Sequence, residues 1–344
     1  MTGASSNVSV SLFLTDQQPP GTDQVAALRQ QLQLCHGARD GGWDGVFVGQ
    51  HHLSEGLTHI QPVPFLARLI PEAGDLRVGV TVSLTALHNP VDLAETYASL
   101  DIVSEGRLTF GVGLGYRDVE YEAFGVSAGE RVHRFERNLD LVLALWAGEP
   151  VDADLPWCRL DHQRLALLPV QRPRPPVWMA ANSDAAVQRA ARLADAWIIN
   201  PHARTDTIRR QLALYHAART AAGRPDTPGE LPALREIFCA PSRQLAEERA
   251  GPYLGAKYEA YARWGQDRVL PGKDSFVVPF SELQEDRFIV GSPDDCLKQL
   301  LAWRDELGVN HFVLRTDWAG MPAEVALESI RLLSREVIPV LRQG

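Results

Sequence analysis

Short apolar runs alternate with helix-like stretches along almost the whole of this sequence, and that alternation limits the fold more than any other feature. Strands are expected at 8–14, 44–48, 76–84, 107–113, 177–181, 196–199, 233–239 and 311–315. Helical patterns separate them: 23–39, 62–70, 91–103, 132–146, 184–193, 205–222, 244–264, 293–307 and 323–341. Short apolar strands with helices between them imply a parallel sheet covered on its faces. Eight units of about 40 residues close into a barrel more readily than they lie open. The expected class is therefore α/β, a (β/α)8 TIM barrel forming one domain over residues 1–344. Two proline- and glycine-bearing stretches break the rhythm, at 148–176 after the fourth helix and at 265–290 before the last strand–helix region.

The fourth strand ends unusually. In Arg107-Leu108-Thr109-Phe110-Gly111-Val112-Gly113-Leu114-Gly115-Tyr116, glycine occupies every second position from Gly111. Glycines weaken a strand unless a turn or a close approach to the backbone requires them. Either a tight turn leaves the sheet here, or a flat ligand or phosphate lies against the chain. A dinucleotide fingerprint does not fit, because the third glycine comes one position early.

A barrel places its chemistry on the loops after the strands. Those loops carry His51 and His52, then His88 and Asn89, then Gly113, Gly115 and Tyr116, and later Ala181-Asn182-Ser183, Asn200-Pro201-His202 and Asp317-Trp318. Histidine moves protons near neutral pH. Adjacent loop residues point different ways, so at most one of His51 and His52 is expected to face the centre. Ala181-Asn182-Ser183 ends a strand and opens a helix, where free N–H groups suit an anion and the same side chains suit a cap. Tyr116 and Trp197 are candidates for packing on a planar ring, with Trp197 at least partly buried beside Ile198-Ile199. No ligand set for a metal is complete.

The net charge of −9 and the lack of a basic run disfavour nucleic acid and anionic membranes as partners. No apolar run is long enough to span a bilayer, and the first seven residues lack a signal-peptide pattern. Cys35, Cys158, Cys239 and Cys296 form no C-x-x-C pair, so reduced thiols of a cytoplasmic protein are expected.

Taken together, these pieces resemble the luciferase-like monooxygenases, flavin-dependent (β/α)8 barrels related to bacterial luciferase. The resemblance runs from about Val8 to Leu341. Its carriers are Gln50-His51-His52-Leu53-Ser54-Glu55-Gly56, Leu87-His88-Asn89-Pro90-Val91 and the stretch from Ser104 to Tyr116. Further carriers are Ala180-Ala181-Asn182-Ser183, Asp195-Ala196-Trp197-Ile198-Ile199-Asn200 and Val290-Gly291-Ser292-Pro293. The resemblance implies a reduced flavin across the strand ends. Its ring would lie near the third and fourth strands, making Thr81, Val82, Asn89, Gly113, Gly115 and Tyr116 cofactor candidates. Its phosphate would lie near Ala181, Asn182 and Ser183, with Trp197 close by. His51 matches the family's catalytic histidine and His52 follows it. The implied reaction uses reduced FMN and O2 to oxygenate a small organic substrate through a C4a-peroxyflavin, with reduced flavin supplied by a separate flavin reductase. Alternatives are a reductase or dehydrogenase using deazaflavin (coenzyme F420) and a flavin-binding protein without catalysis. A homodimer would suit the family, and 265–290, with Gly265, Gly272 and Pro279, would serve as a lid.

Three positions depart from luciferase. Gln50 replaces an acidic residue, Leu114 an arginine for the phosphate, and Asn182 a glutamate.

Overall fold

The computed structural model describes residues 8–225, 229–272 and 275–343. Met1–Asn7, Lys273 and Asp274 lie outside these, and with them part of the expected signal-free start and of the 265–290 excursion. Nine parallel strands form the main sheet: β1 Ser9–Phe13, β2 Gly45–Val48, β3 Arg77–Leu84, β4 Leu108–Gly113, β5 Val177–Ala180, β6 Ala196–Ile198, β7 Pro232–Cys239, β8 Phe288–Gly291 and β9 His311–Arg315. Their order is β6-β5-β4-β3-β2-β1-β9-β7-β8. The sheet is curled, and Ile199, just past β6, makes a parallel bridge to Ala233 of β7. Helices cover the outer face.

Burial on both faces explains the apolar runs. Every residue of β2, β4 and β9 is buried. Inside the curl, Phe13, Phe47, Trp178, Ile198, Leu234 and Val313 form their own cluster, with Phe47 stacked on Trp178 at 5.1 Å. Local signals set the helix starts. Asp23 accepts the Val25 and Ala26 N–H groups at 2.9 and 3.1 Å. Ser292 and Asp295 form a reciprocal capping box before Pro293–Leu307.

Four features differ from the sequence expectation. β8 overlaps the end of the expected 265–290 interruption, because Phe288-Ile289-Val290 is too short for periodicity to show; it pairs with Glu236–Cys239. A short helix, Asp118–Ala123, follows β4. A two-stranded antiparallel pair joins Gln17–Gln18 to Thr58–His59. The last helix is divided by a π-turn at Leu333–Val337. Within 148–176, Val151–Leu155 and Cys158–Gln163 form an antiparallel hairpin. No helix among the described residues is long and apolar enough to cross a membrane.

One irregularity positions the site. The β3–β4 register shifts between Val80 and Ser83, so Thr81 and Val82 drop out of the ladder as a bulge. The peptide between them is cis.

Candidate active site

Loops at the C-terminal ends of the strands enclose a cavity of about 530 Å3, within the usual range of cofactor and small-molecule sites. The bulge delivers both Thr81 and Val82 to its wall, and Gly113, Leu114, Gly115 and Tyr116 continue that wall. A Cβ on Gly113 would come within 2.3 Å of Val82 Cγ2, so β4 tolerates no side chain where it meets the bulge. Gly115 adopts φ +84°, the left-handed region open to glycine.

His51 lines the cavity and His52 does not. The Nδ1 of His51 donates to Glu120 Oε1 at 3.3 Å. A carboxylate only accepts, so the proton sits on Nδ1 and Nε2 keeps its lone pair. Glu120 is 1% exposed and also accepts the His52 N–H at 2.9 Å and Arg117 Nη1 at 3.3 Å. Arg117 in turn donates to the carbonyls of His52 and Leu53 at 2.6 and 2.9 Å. Burial opposes the Glu120 charge, but the bonds from His51 and the His52 N–H and the Arg117 charge outweigh it. The carboxyl therefore lies below its ordinary value. Burial pulls the His51 imidazole below its ordinary value despite Glu120, which keeps it neutral at neutral pH. Behind the loop, the His52 ring packs on Phe124 at 4.6 Å and His88 at 5.9 Å.

At another part of the wall, Ala181, Asn182 and Ser183 lead into the helix Asp184–Leu193, and Ser183 caps it by accepting the Ala186 N–H at 3.3 Å. Asp184 in the first turn is neutralised by Arg210 at 2.6 and 2.8 Å. Arg131, the first residue of the helix Arg131–Trp146, also lines the cavity. Its guanidinium lies 5.6 Å from the Tyr121 ring, and Tyr121 donates to the Leu114 carbonyl at 2.5 Å. Among the described residues no carboxylate pairs with it. A free guanidinium thus stands near the position where Leu114 lacks one.

Two of the cofactor candidates also lie off the wall. Asn89 is committed to the chain: its Oδ1 accepts the Val91 N–H at 2.9 Å as an N-cap, and its Nδ2 donates to the Trp157 carbonyl at 3.2 Å. Trp197 is fully buried and donates to the Ala181 carbonyl at 3.2 Å, which supports that loop from behind. The described residues hold no cluster of three metal-ligating side chains, and all four cysteines are free and buried.

Sequence reasoning missed Glu120, Arg131, His59, Asp16 and the aromatic residues around His51. His59 Nδ1 lies 2.9 Å from Asp16 Oδ2, and both line the cavity. Its ring is 5.8 Å from that of His51. Trp264 is 5.4 Å from the His51 ring, stacks on Tyr261 at 5.2 Å and receives the Arg117 guanidinium at 4.5 Å. Gln266, Arg268, Val269, Leu270 and Pro271 then wall the cavity.

The donor set suits a flat, phosphate-bearing cofactor. Buried polar groups almost always find partners, yet Thr81 Oγ1 and Tyr116 OH, both on cavity-lining residues, have none. A polar-edged ring against the bulge would supply them. The family model for luciferase-like monooxygenases matches residues 8–311. The chain belongs to that family. It is an enzyme, a flavin-dependent oxidoreductase.

Over 266 residues, this luciferase-like chain is 30% identical to the phthiodiolone/phenolphthiodiolone dimycocerosates ketoreductase of Mycobacterium tuberculosis, covering 70% of this chain and 69% of that protein. Over 346 residues it is 25% identical to the oxygenase component of flavin-dependent trigonelline monooxygenase from Acinetobacter baylyi, covering 96% and 93%. A similar solved fold is the oxygenating constituent of 3,6-diketocamphane monooxygenase from Pseudomonas putida in complex with FMN. Its TM-score is 0.81 at 19% identity, over 97% of this chain and 98% of that one.

Proposed function

We propose that this luciferase-like protein binds reduced FMN and uses O2 to oxygenate a small organic substrate. The observation that carries the proposal is the wall formed by the Thr81-Val82 bulge and the Gly113–Tyr116 turn, with its two unpartnered hydroxyls. The ring would lie against Val82, Gly113 and Leu114, and Thr81 and Tyr116 would bond its polar edge. Arg131, Ser183 and the helix N-terminus would hold the phosphate. We read the curled sheet, bridged at Ile199 and Ala233, as the closed (β/α)8 barrel of one domain.

The flavin, when bound, supplies the electrons that reduce O2 and allow one oxygen atom to reach the substrate. The chain's own groups do the rest. Glu120 holds His51 with Nε2 free to accept a hydrogen bond or a proton inside the cavity. Arg117 and Trp264 hold the loop that carries His51. The segment from Gln266 to Pro271 shields the site from water. The name "oxygenase component" on the trigonelline enzyme supports delivery of reduced flavin by a separate reductase.

The similar ketoreductase and the missing arginine at Leu114 favour a second reading, hydride transfer with a deazaflavin in the same cavity. One experiment separates the two. Anaerobic titration with reduced FMN and with reduced deazaflavin is followed by air. Tight FMN binding, with reoxidation on aeration following a time course distinct from that of free reduced FMN, supports the oxygenase. Binding of deazaflavin alone, without O2 uptake, refutes it.

A further inference from the structure

Two histidine–carboxylate pairs serve the same cavity, and their carboxylates differ in what surrounds them. Glu120 holds His51 but also accepts the His52 N–H and Arg117, so its charge is already answered. Asp16, in the loop after β1, has a side chain 2% exposed, and His59 is its one ion-pair partner among the described residues. Asp16 Oδ2 receives no hydrogen bond. It stands 2.9 Å from His59 Nδ1, while the hydrogen on that nitrogen is aimed at the Ile60 carbonyl at 3.1 Å. Both neighbours of Nδ1 are acceptors, so Nδ1 carries the proton and Nε2 keeps its lone pair.

Local pairing produces this placement. His59 lies opposite Gln17 in the short antiparallel ladder, which sets its ring beside the preceding residue, Asp16. Gln17 Nε2 donates to the Tyr261 hydroxyl at 3.2 Å, so the ladder is tied to the long helix Arg243–Arg263 as well. Rings gather at this part of the wall. His51 lies 5.8 Å from His59, 5.9 Å from Tyr116 and 6.2 Å from Tyr261, and all four line the cavity. The charged groups that act on Asp16 from other elements are Arg315 of β9 and Asp317 just past it. Burial raises the Asp16 carboxyl above its ordinary value, and His59 and Arg315 pull against that rise.

A buried carboxylate with few donors of its own is stabilised by a cation beside it. The adjoining group able to become one is the His59 imidazole, which turns cationic by accepting a proton at Nε2. A proton on His59 disfavours one on His51, so the two histidines do not charge together and His51 stays neutral. We propose that His59 is a second base of the site, which takes a proton from an acidic hydroxyl of the substrate, and that the substrate is accordingly a phenol or an enol. The proton passes to Nε2, the electron pair of the O–H bond stays on the substrate oxygen, and Asp16 balances the imidazolium. Imidazole is basic enough to deprotonate such hydroxyls and too weak a base for aliphatic alcohols. The anionic oxygen, conjugated to the ring or double bond, enriches the carbon that is to gain an oxygen atom. The proposal deepens the oxygenase reading and rests on it for calling this molecule the substrate.

The test uses p-nitrophenol, whose phenolate is coloured, and p-nitroanisole, which has no O–H. Both are titrated into the flavin-free protein at a pH about one unit below the pKa of the phenol, where roughly a tenth is ionised in water. Bound to the wild-type protein, p-nitrophenol should be at least half phenolate, a rise of about tenfold or more in the ionised-to-neutral ratio. With 15N-labelled histidine, the His59 ring nitrogens should move to imidazolium shifts as the probe binds. In His59→Gln the probe should bind as the neutral phenol. Asp16→Asn, nearly the same in shape and less of a threat to folding, should lower the ratio about tenfold. p-Nitroanisole should bind equally to all three proteins. A probe bound to the wild type as neutral phenol, or not bound, overturns the proposal. So does a phenolate that persists in His59→Gln, since another group would then be holding the charge. Equal weakening of both probes in the two variants also overturns it, because the pair would then only shape the wall. FMN affinity is measured separately. A protein that binds FMN but does not ionise p-nitrophenol defeats this proposal and spares the flavin reading, and the reverse result defeats the flavin reading and spares His59 as a base.

Discussion

Replacing Glu120 tests the central arrangement of the site. In Glu120→Ala the His51 Nδ1–H and the His52 N–H lose the acceptor they have at 3.3 and 2.9 Å. Neither has another among the described residues. Leaving a buried donor unpaired costs roughly 1–3 kcal/mol. Arg117 keeps two backbone carbonyls, so its loss is smaller. The two donors together cost about 2–6 kcal/mol, which brackets the usual penalty of about 3–5 kcal/mol for removing one partner of a buried ion pair. That is a large part of the ~5–15 kcal/mol that holds a typical domain together. Glu120→Gln keeps the volume and one acceptor and should cost about 1–2 kcal/mol. Urea unfolding of the three proteins at pH 7 measures both differences.

The pH dependence gives a second reading. The Glu120 carboxyl lies below its ordinary value in the folded protein. Its contribution is therefore present above the unfolded value of about 4.3 and is lost as pH falls through the folded value. The gap between wild type and Glu120→Gln should close in acid. Glu120 also supports protonation of His51 against burial, so in Glu120→Gln the imidazole should stay neutral to lower pH, read from its ring proton shifts. A Glu120→Ala protein within about 1 kcal/mol of wild type would refute the arrangement. So would a His51 that protonates at higher pH in Glu120→Gln.

Four further outcomes are expected. His51→Ala should slow turnover more than it weakens flavin binding, with stopped-flow rates and equilibrium titration as the two readouts. Arg131→Gln should weaken FMN about tenfold or more while leaving riboflavin, which lacks the phosphate, unaffected. Gly113→Ala places a Cβ 2.3 Å from Val82 Cγ2 and should cost about 1–3 kcal/mol by overpacking, and Val82→Ala in the same chain should restore much of it. Trp264→Ala loses the Arg117 and Tyr261 contacts and the bond from Nε1 to the Glu55 carbonyl at 3.3 Å. It should raise the rate of proteolysis between Gly265 and Gly272 at unchanged global stability within ~1 kcal/mol.

Much of the scaffold was legible because its signals are local. Asp184–Leu193, Pro293–Leu307 and His311–Arg315 appear with the bounds their apolar patterns and caps suggested. Ser183 caps its helix as its position predicts, and Asn89, expected at the cofactor, caps as well. For Asn89 that local role uses both ends of the side chain and leaves nothing for a ligand. The glycines of β4 were legible as a demand for close approach. Their neighbour, Val82 of the bulge, was reached only through the family resemblance, since a bulge leaves no periodic mark. β8 was missed because three apolar residues carry no period.

The sequence by itself determined the strand–helix alternation and the strand ends that bear the site, the His51-His52 pair among them. These follow from periodicity, capping and composition, which act over a few residues. Only the tertiary structure decided what His51 works with. Glu120 lies 69 positions further along the chain, on a short helix with no apolar stripe. His59 meets Asp16 because two residues on each side pair as an isolated ladder. Arg131, Arg268 and Arg315 are scattered through a chain of net negative charge. Which charges share a cavity depends on how loops from distant strands converge, and no local pattern records that convergence.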